Sequence, residues 1–244
     1  MLIDSAAYAS HWRAIAPSAK ALFACAGVAA AWIARSPGAL AMLAAVLVLC
    51  TVVGARVPLR TLLAAALAPF GFLLLACLAM LAGPDLQGDW HWRAAMLPVA
   101  ARTALRSLAI LAALLGLVLT TPLPDLLALL RRLRVPELLL DLMALSYRMV
   151  AVLRQAWDDG VEAQRARQGY RGWRQAWRST AMLAGHMALQ VWQRAAALQM
   201  AADARSYSGT LRFLPVAHPQ ARRQNARAVL AGVLLVALAA GDRW

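Results

Sequence analysis

The chain has 244 residues, of which 62% are apolar and only 15% charged, and its mean hydropathy is +0.61. A soluble domain averages about 45–50% apolar and about 25% charged residues, so this composition argues against a soluble globular enzyme. The formal net charge of +14, from 24 Arg and the single Lys20 against 11 acids, would fit a nucleic-acid partner. Combined with the apolar content, it points instead to a lipid bilayer, no nucleic acid, and a basic cytoplasmic face.

Bilayer spans need about 20 apolar residues as helices, and the uncharged stretches mark them in order. Ala21–Ala34 is short and is expected to extend back over Lys20, whose stem can snorkel. Ser36–Ala55, Thr61–Pro84 and Ser107–Pro124 follow, the last preceded by Arg102 and Arg106 on the same helix. All are continuously Ala- and Leu-rich, without the alternation of barrel strands. A fifth candidate, Ala228–Gly241, spans if Arg227 and Arg243 snorkel. The positive-inside rule puts Arg56 and Arg60 inside. The connection with Asp85, Asp89, Trp90 and Trp92 then lies outside, and residues 122–225, with 15 Arg and 7 acids, lie inside. The N-terminus is then cytoplasmic, its leading segment too long and too weakly basic for a signal peptide. Arg35, in the first outer connection, is a minor violation. Cys25, Cys50 and Cys77 have no paired spacing and read as small hydrophobes.

Residues 122–225 are Arg-rich yet helical in pattern. Asp125 is the expected N-cap of a helix from Leu126 to Arg134, ended by Val135-Pro136. A second helix is expected from Glu137 to about Gln168, with Leu138, Leu142, Leu145, Met149 and Val152 on one face and Gly169 as a left-handed cap. A third runs from about Trp173 towards Arg205, with Met182, Leu189, Trp192 and Ala196 at helical spacing, and Ser206-Tyr207-Ser208-Gly209 ends it. The two long helices finish alike, in Ala166-Arg167-Gln168 and in Ala204-Arg205-Ser206. An Arg in a last helical turn can simply complement the helix dipole. Two matching copies beside small residues also fit a docking pair, in which each guanidinium meets a partner carboxylate in a fork.

Other chemistry is lacking from the sequence. There is no phosphate-cradling Gly-rich loop with its Lys, no HExxH, no Cys-x-x-Cys and no Gly-x-Ser-x-Gly. The histidines 11, 91, 186 and 218 are scattered, and the spans carry no acid of the kind that marks an ion relay. His91 reads as a solvated loop residue and His186 as a packing or hydrogen-bonding one. Asp158, Asp159 and Glu162 are expected to form solvated pairs with Arg154 and Arg165 rather than an enzyme's acid cluster.

Taken together, these features resemble the T component, the transmembrane coupling subunit, of energy-coupling factor (ECF) transporters, and specifically their cobalt/nickel branch of the CbiQ or NikQ type. The resemblance is carried by Leu2-Ile3-Asp4 with Trp12, Pro17-Ser18-Ala19-Lys20, Thr120-Thr121-Pro122, Leu133-Arg134-Val135-Pro136 and Tyr147-Arg148. It continues through Ala163-Gln164-Arg165-Ala166-Arg167 and Ala204-Arg205-Ser206-Tyr207-Ser208-Gly209, with Leu211-Arg212-Phe213-Leu214. The family's motif often reads Ala-Arg-Gly, where this chain has Gln168 and Ser206 in third place.

The resemblance implies an all-α membrane protein of about five transmembrane helices plus two long amphipathic cytoplasmic coupling helices. Residues 1–121 would hold four spans, 122–225 the coupling helices and 226–244 the last span. It implies a non-catalytic chain with no metal site of its own in a bacterial inner membrane. Its partners would be two cytoplasmic ABC-type ATPase subunits, which bind ATP and Mg, and a membrane substrate-binding (S/M-type) subunit, which binds cobalt or nickel. Ala166, Arg167, Gln168, Ala204, Arg205 and Ser206 would dock the ATPases. Leu138, Leu142, Leu145, Met149, Met182, Leu189 and Trp192 would pack against the substrate-binding subunit. The alternatives are a T component for another micronutrient, such as a vitamin, a permease with its own path, and a small lipid-modifying enzyme.

Overall fold

A computed structural model describes residues 2–84, 90–206 and 220–241. Asp85, Asp89, Tyr207-Ser208-Gly209, Leu211–Leu214, His218 and Arg243 lie outside the described residues. Among the described residues the chain is helical, apart from a short antiparallel ribbon pairing Ala82–Pro84 (β1) with Trp90–Trp92 (β2). The expectation of an all-α membrane protein therefore holds. Contacts divide the chain into two units, residues 1–129 with 215–244, and residues 130–214.

The first unit contains α1 (Leu2–Ala9), α2 (Pro17–Ile33), α3 (Pro37–Leu49, continued by a π turn over Cys50–Gly54), α4 (Leu59–Leu81), α5 (Leu97–Thr120) and α9 (Ala221–Gly241). Four stretches are long and apolar enough to cross a bilayer: Pro37–Gly54, Leu59–Leu81, Leu97–Thr120 and Ala221–Gly241. The apolar α2 has 17 residues, about 25 Å at the helical rise of about 1.5 Å per residue. Proline opens both α2 and α3 at the N-terminal position, where its missing N–H costs nothing. Ser36 caps α3 by accepting from Ala39 N.

The main core joins Ala30, Ala31 and Ala34 of α2 and the segment after it to Leu40, Leu43 and Leu47 of α3. Ala109, Ala112 and Ala113 of α5 and Leu235 and Ala239 of α9 complete it. Alanine dominates because small side chains let helix backbones approach closely, the main attraction left where lipid tails are as apolar as leucine. Most of α4 stays exposed, including Leu67 and Phe72, as befits a surface for lipid tails.

Two basic side chains tie the antiparallel helices α2 and α5 to each other. Lys20, in the first turns of α2, donates from Nζ to the Thr120 carbonyl at the C-terminus of α5, at 2.7 Å. Arg106 of α5 donates from Nε to the Ala31 carbonyl (3.1 Å) and from Nη2 to the Ala34 carbonyl (3.3 Å) at the C-terminus of α2. Its guanidinium also lies over the Trp32 ring. Each helix thus supplies a cation to the other's unpaired carbonyls, where helix geometry leaves acceptors and the dipole is negative. The expectation that Lys20 snorkels is corrected here: the residue is buried, because a carbonyl of its own fold lies nearer than water. At the same end, Ser10 Oγ and His11 N donate to the Ala55 carbonyl. Ala16 N donates to Gln224 Oε1, and Ser18 Oγ to Asn225 Oδ1, so α9 starts beside the start of α2.

The second unit is built on α7 (Glu137–Ala166) and α8 (Trp173–Ala204). Before it comes the short α6 (Leu123–Arg132). Asp125 lies within the first turn of α6 rather than capping it from Leu126, since Pro124 is tolerated among the first helical residues, whose N–H groups have no partner. The long helices meet where Gly160 of α7 faces Leu183 of α8. A Cβ on Gly160 would run into the end of the Leu183 side chain, so a larger residue there requires Leu183 to shift.

Candidate functional site

The three helices α6, α7 and α8 end in the same backbone device. After α7, Arg167 is the C-cap (φ −89°, ψ 13°) and Gln168 turns left-handed (φ 58°). Gln168 N donates to the Arg165 carbonyl (2.9 Å) and Gly169 N to the Gln164 carbonyl (2.8 Å), the paired bonds of a Schellman stop. After α8, Arg205 is the C-cap (φ −100°, ψ 13°), Ser206 is left-handed (φ 53°), and Ser206 N donates to the Asp203 carbonyl (3.1 Å). After α6, Arg134 is left-handed (φ 61°), with Arg134 N on Arg131 O and Val135 N on Leu130 O.

Gly169 was the expected left-handed residue, and the observed one is Gln168. The glycine is needed one place later for space. A Cβ there would lie about 2.6 Å from Ser179 Oγ and 2.9 Å from the Gln164 carbonyl, and Ser179 Oγ donates to Gly169 O across the turn (2.9 Å). The third position of each Ala-Arg pair is therefore the one at φ > 0, where glycine is the unstrained choice. Gln168 and Ser206 take this conformation with a Cβ. Gln168 also uses its Oε1 to accept from Arg171 Nη1 (3.1 Å).

Ala166, Arg167, Gln168, Ala204, Arg205 and Ser206 are all exposed, each trio on the final turn of its own helix. The two arginines thus stand in matching local frames, each beside a small residue that permits close approach. On the long helices, Leu138 (68% exposed), Leu142, Leu145, Met182, Leu189 and Trp192 (76%) are uncovered, and Met149 is half-buried. Amphipathic spacing in this unit thus leaves its apolar side chains exposed rather than building a core, and an exposed apolar stripe of this kind is a candidate interaction surface. Arg154 pairs with Asp158 at 3.9 Å, both exposed, the solvated local pair expected there. Among the described residues no group of three His, Cys, Asp or Glu is placed to hold a metal ion.

Sequence reasoning missed a polar row on α8. His186, Gln190 and Arg194 recur every four residues and line a groove of about 620 Å³ with Asp159, Gln164 and Arg167 of the α7 side. The spacing of four, which puts His186, Gln190 and Arg194 on one face of the helix, was the signal that could have found it.

Residues 9–214 match the CbiQ family, described as a cobalt transport protein. The chain is 35% identical over 222 residues to the cobalt transport protein CbiQ of Rhodobacter capsulatus, covering 89% of this chain and 90% of that one. It is 34% identical over 157 residues to the CbiQ of Salmonella typhimurium, 58% of this chain and 68% of that one. Over 126 residues it is 32% identical to a putative fused cobalt transport protein CbiMQ of Methanocorpusculum labreanum, 51% of this chain and 21% of that one. The chain belongs to the CbiQ family.

Proposed function

We propose, with CbiQ-family membership as the premise, that this chain is the non-catalytic transmembrane coupling subunit of an ECF-type importer whose cargo is the cobalt ion, or its close chemical relative nickel. Two cytoplasmic ABC-type ATPase subunits bind ATP and Mg and dock at Arg167 and Arg205, one at each helix end. A separate membrane subunit captures the metal. Closure of the ATPases on ATP draws the ends of α7 and α8 with them, and the exposed apolar side chains from Leu138 to Trp192 pass that movement to the capturing subunit. The chain lies in the bacterial inner membrane with its N-terminus in the cytoplasm, so that Arg56, Arg60 and the Arg-rich segment face inward.

The observation that carries this reading is the duplicated arginine cap: of the three helices that end in this device, α7 and α8 are the two that place an arginine at the C-cap. Two exposed arginines occupy the same C-cap conformation, each followed by a left-handed residue. Dipole complementation needs neither the repetition nor the strain. A guanidinium held this way presents a planar fork for a carboxylate. The relative named as a fused CbiMQ protein supports partnership with a second subunit.

The test is the double variant Arg167→Glu/Arg205→Glu, purified in mild detergent from cells that make the whole transporter. The expected result is loss of the ATPase from the purified complex, with insertion and yield unchanged. An ATPase recovered at the native ratio overturns the docking assignment.

A further inference from the structure

The polar groove beside Arg167 has features that the twin-arginine reading leaves unused. Gln190 Oε1 and Arg194 Nη1, one helical turn apart on α8, are both buried without a hydrogen-bond partner. A buried donor and a buried acceptor left unpaired each carry a desolvation penalty, and native folds rarely leave two together. Asp159, on the α7 side of the groove, does not bond to that Arg194 nitrogen. The groove's formal charges are two arginines against one aspartate, and α8 carries no acid from Trp173 to Ala202. Both atoms are closed off in the free chain, so an occupant that satisfies them displaces the side chains covering them and brings a carboxylate for Arg194 and an N–H for Gln190.

Given the docking reading above, on which this inference rests, we propose that the groove receives an acidic segment of the same ATPase subunit that engages Arg167. Arg194 is the second anchor of that subunit and Gln190 positions the segment by accepting one of its N–H groups. Charge complementarity selects an acidic occupant. Continuity with Arg167, which lines the same groove, selects the ATPase rather than the metal-capturing subunit.

The experiment is a binding titration of the purified ATPase subunit onto the full-length chain in detergent, with Arg194→Glu, Arg194→Lys and Gln190→Leu beside the native chain. Reversing one partner of a desolvated charge pair is expected to weaken binding by at least about ten-fold. Lysine keeps the charge without the fork and should fall between, and Gln190→Leu should cost a few-fold. Arg167→Glu/Arg205→Glu serves as the reference. If that reference loses the ATPase and Arg194→Glu binds as the native chain does, the groove holds only solvent and the inference falls while the docking reading stands. If the reference itself binds normally, the docking reading falls and takes this inference with it.

A second measurement guards against a misfolded Arg194→Glu chain. A photo-reactive residue in place of Gln190 in the assembled transporter should crosslink to the ATPase. Crosslinks confined to lipid, or to the metal-capturing subunit, overturn the proposal.

Discussion

The two units use the same basic side chains in opposite ways. In the unit of spans, Lys20 and Arg106 are spent on carbonyls of the protein's own helices, and alanines and leucines close a core around them. In the unit of α7 and α8 the arginines at the helix ends are exposed, and so are most of the large apolar side chains, from Leu138 to Met200. Its buried side chains include Leu140 and Leu183. A helix pair with so thin a core draws little stability from burial, and low local stability is common in elements that move or bind. The difference teaches that cationic residues in a membrane protein are informative only once their acceptors are known. Those that find an acceptor within the chain hold the fold, and those that find none are available to a partner.

The comparison is broken most forcefully at the close approach of α7 and α8. Gly160→Leu puts a side chain where Leu183 already sits, and overpacking of this kind costs about 1–3 kcal/mol. In a pair with one such close contact the expected outcome is separation of α7 from α8 and a loss of ATPase retention, with the spans still folded. Limited proteolysis measures it: new cuts within residues 137–204 and none within α2–α5. Adding Leu183→Ala should restore part of the protection, and a double variant cut as readily as the single one would show that the contact is not the cause.

In the other unit, Arg106→Met removes two carbonyl caps and the contact with Trp32. Hydrogen bonds to charged groups contribute about 1.5–3 kcal/mol each way of counting, so a fall in thermal midpoint of several degrees in detergent is expected. Lys20→Met removes one such bond and should cost less. Because the two cations act at opposite ends of the helix pair and share no acceptor, the costs of the double variant should add. A departure from additivity would mean that loosening one end shifts the other, so that α2 and α5 respond as one clamped unit.

How much of this was legible in the sequence follows from the range of the physics involved. The spans, the helical face of Leu138, Leu142 and Leu145, and the two Ala-Arg ends are local patterns, read from neighbours within a few turns. Lys20 depends on a carbonyl 100 residues away, and its sequence neighbourhood offered only snorkelling. The row His186, Gln190, Arg194 was visible as spacing, but its meaning needed α7 opposite it to form a groove. Gly169 drew the left-handed assignment because glycine is the usual occupant of that conformation. The crowding from Ser179 that fixes its true purpose is a tertiary fact.

The smallest effect sharpens the comparison most, because it separates stability from docking at a single residue. Gln168 and Ser206 hold φ near +55° with a side chain, a conformation that costs an L-residue about 1 kcal/mol relative to glycine. Gln168→Gly should therefore stabilise the second unit by somewhat less than about 1 kcal/mol, since the bond from Arg171 to Gln168 Oε1 is exposed and worth little. Ser206→Gly should gain slightly more, because among the described residues no bond to its side chain offsets the strain. Hydrogen exchange of the last turns of α7 and α8 reads the gain as slower opening. If the arginines dock as proposed, ATPase binding is unchanged in both variants, because glycine keeps the C-cap geometry that aims Arg167 and Arg205. A glycine variant that exchanges more slowly yet binds the ATPase less would mean that Gln168 or Ser206 itself touches the partner, and that the strain is kept for that contact.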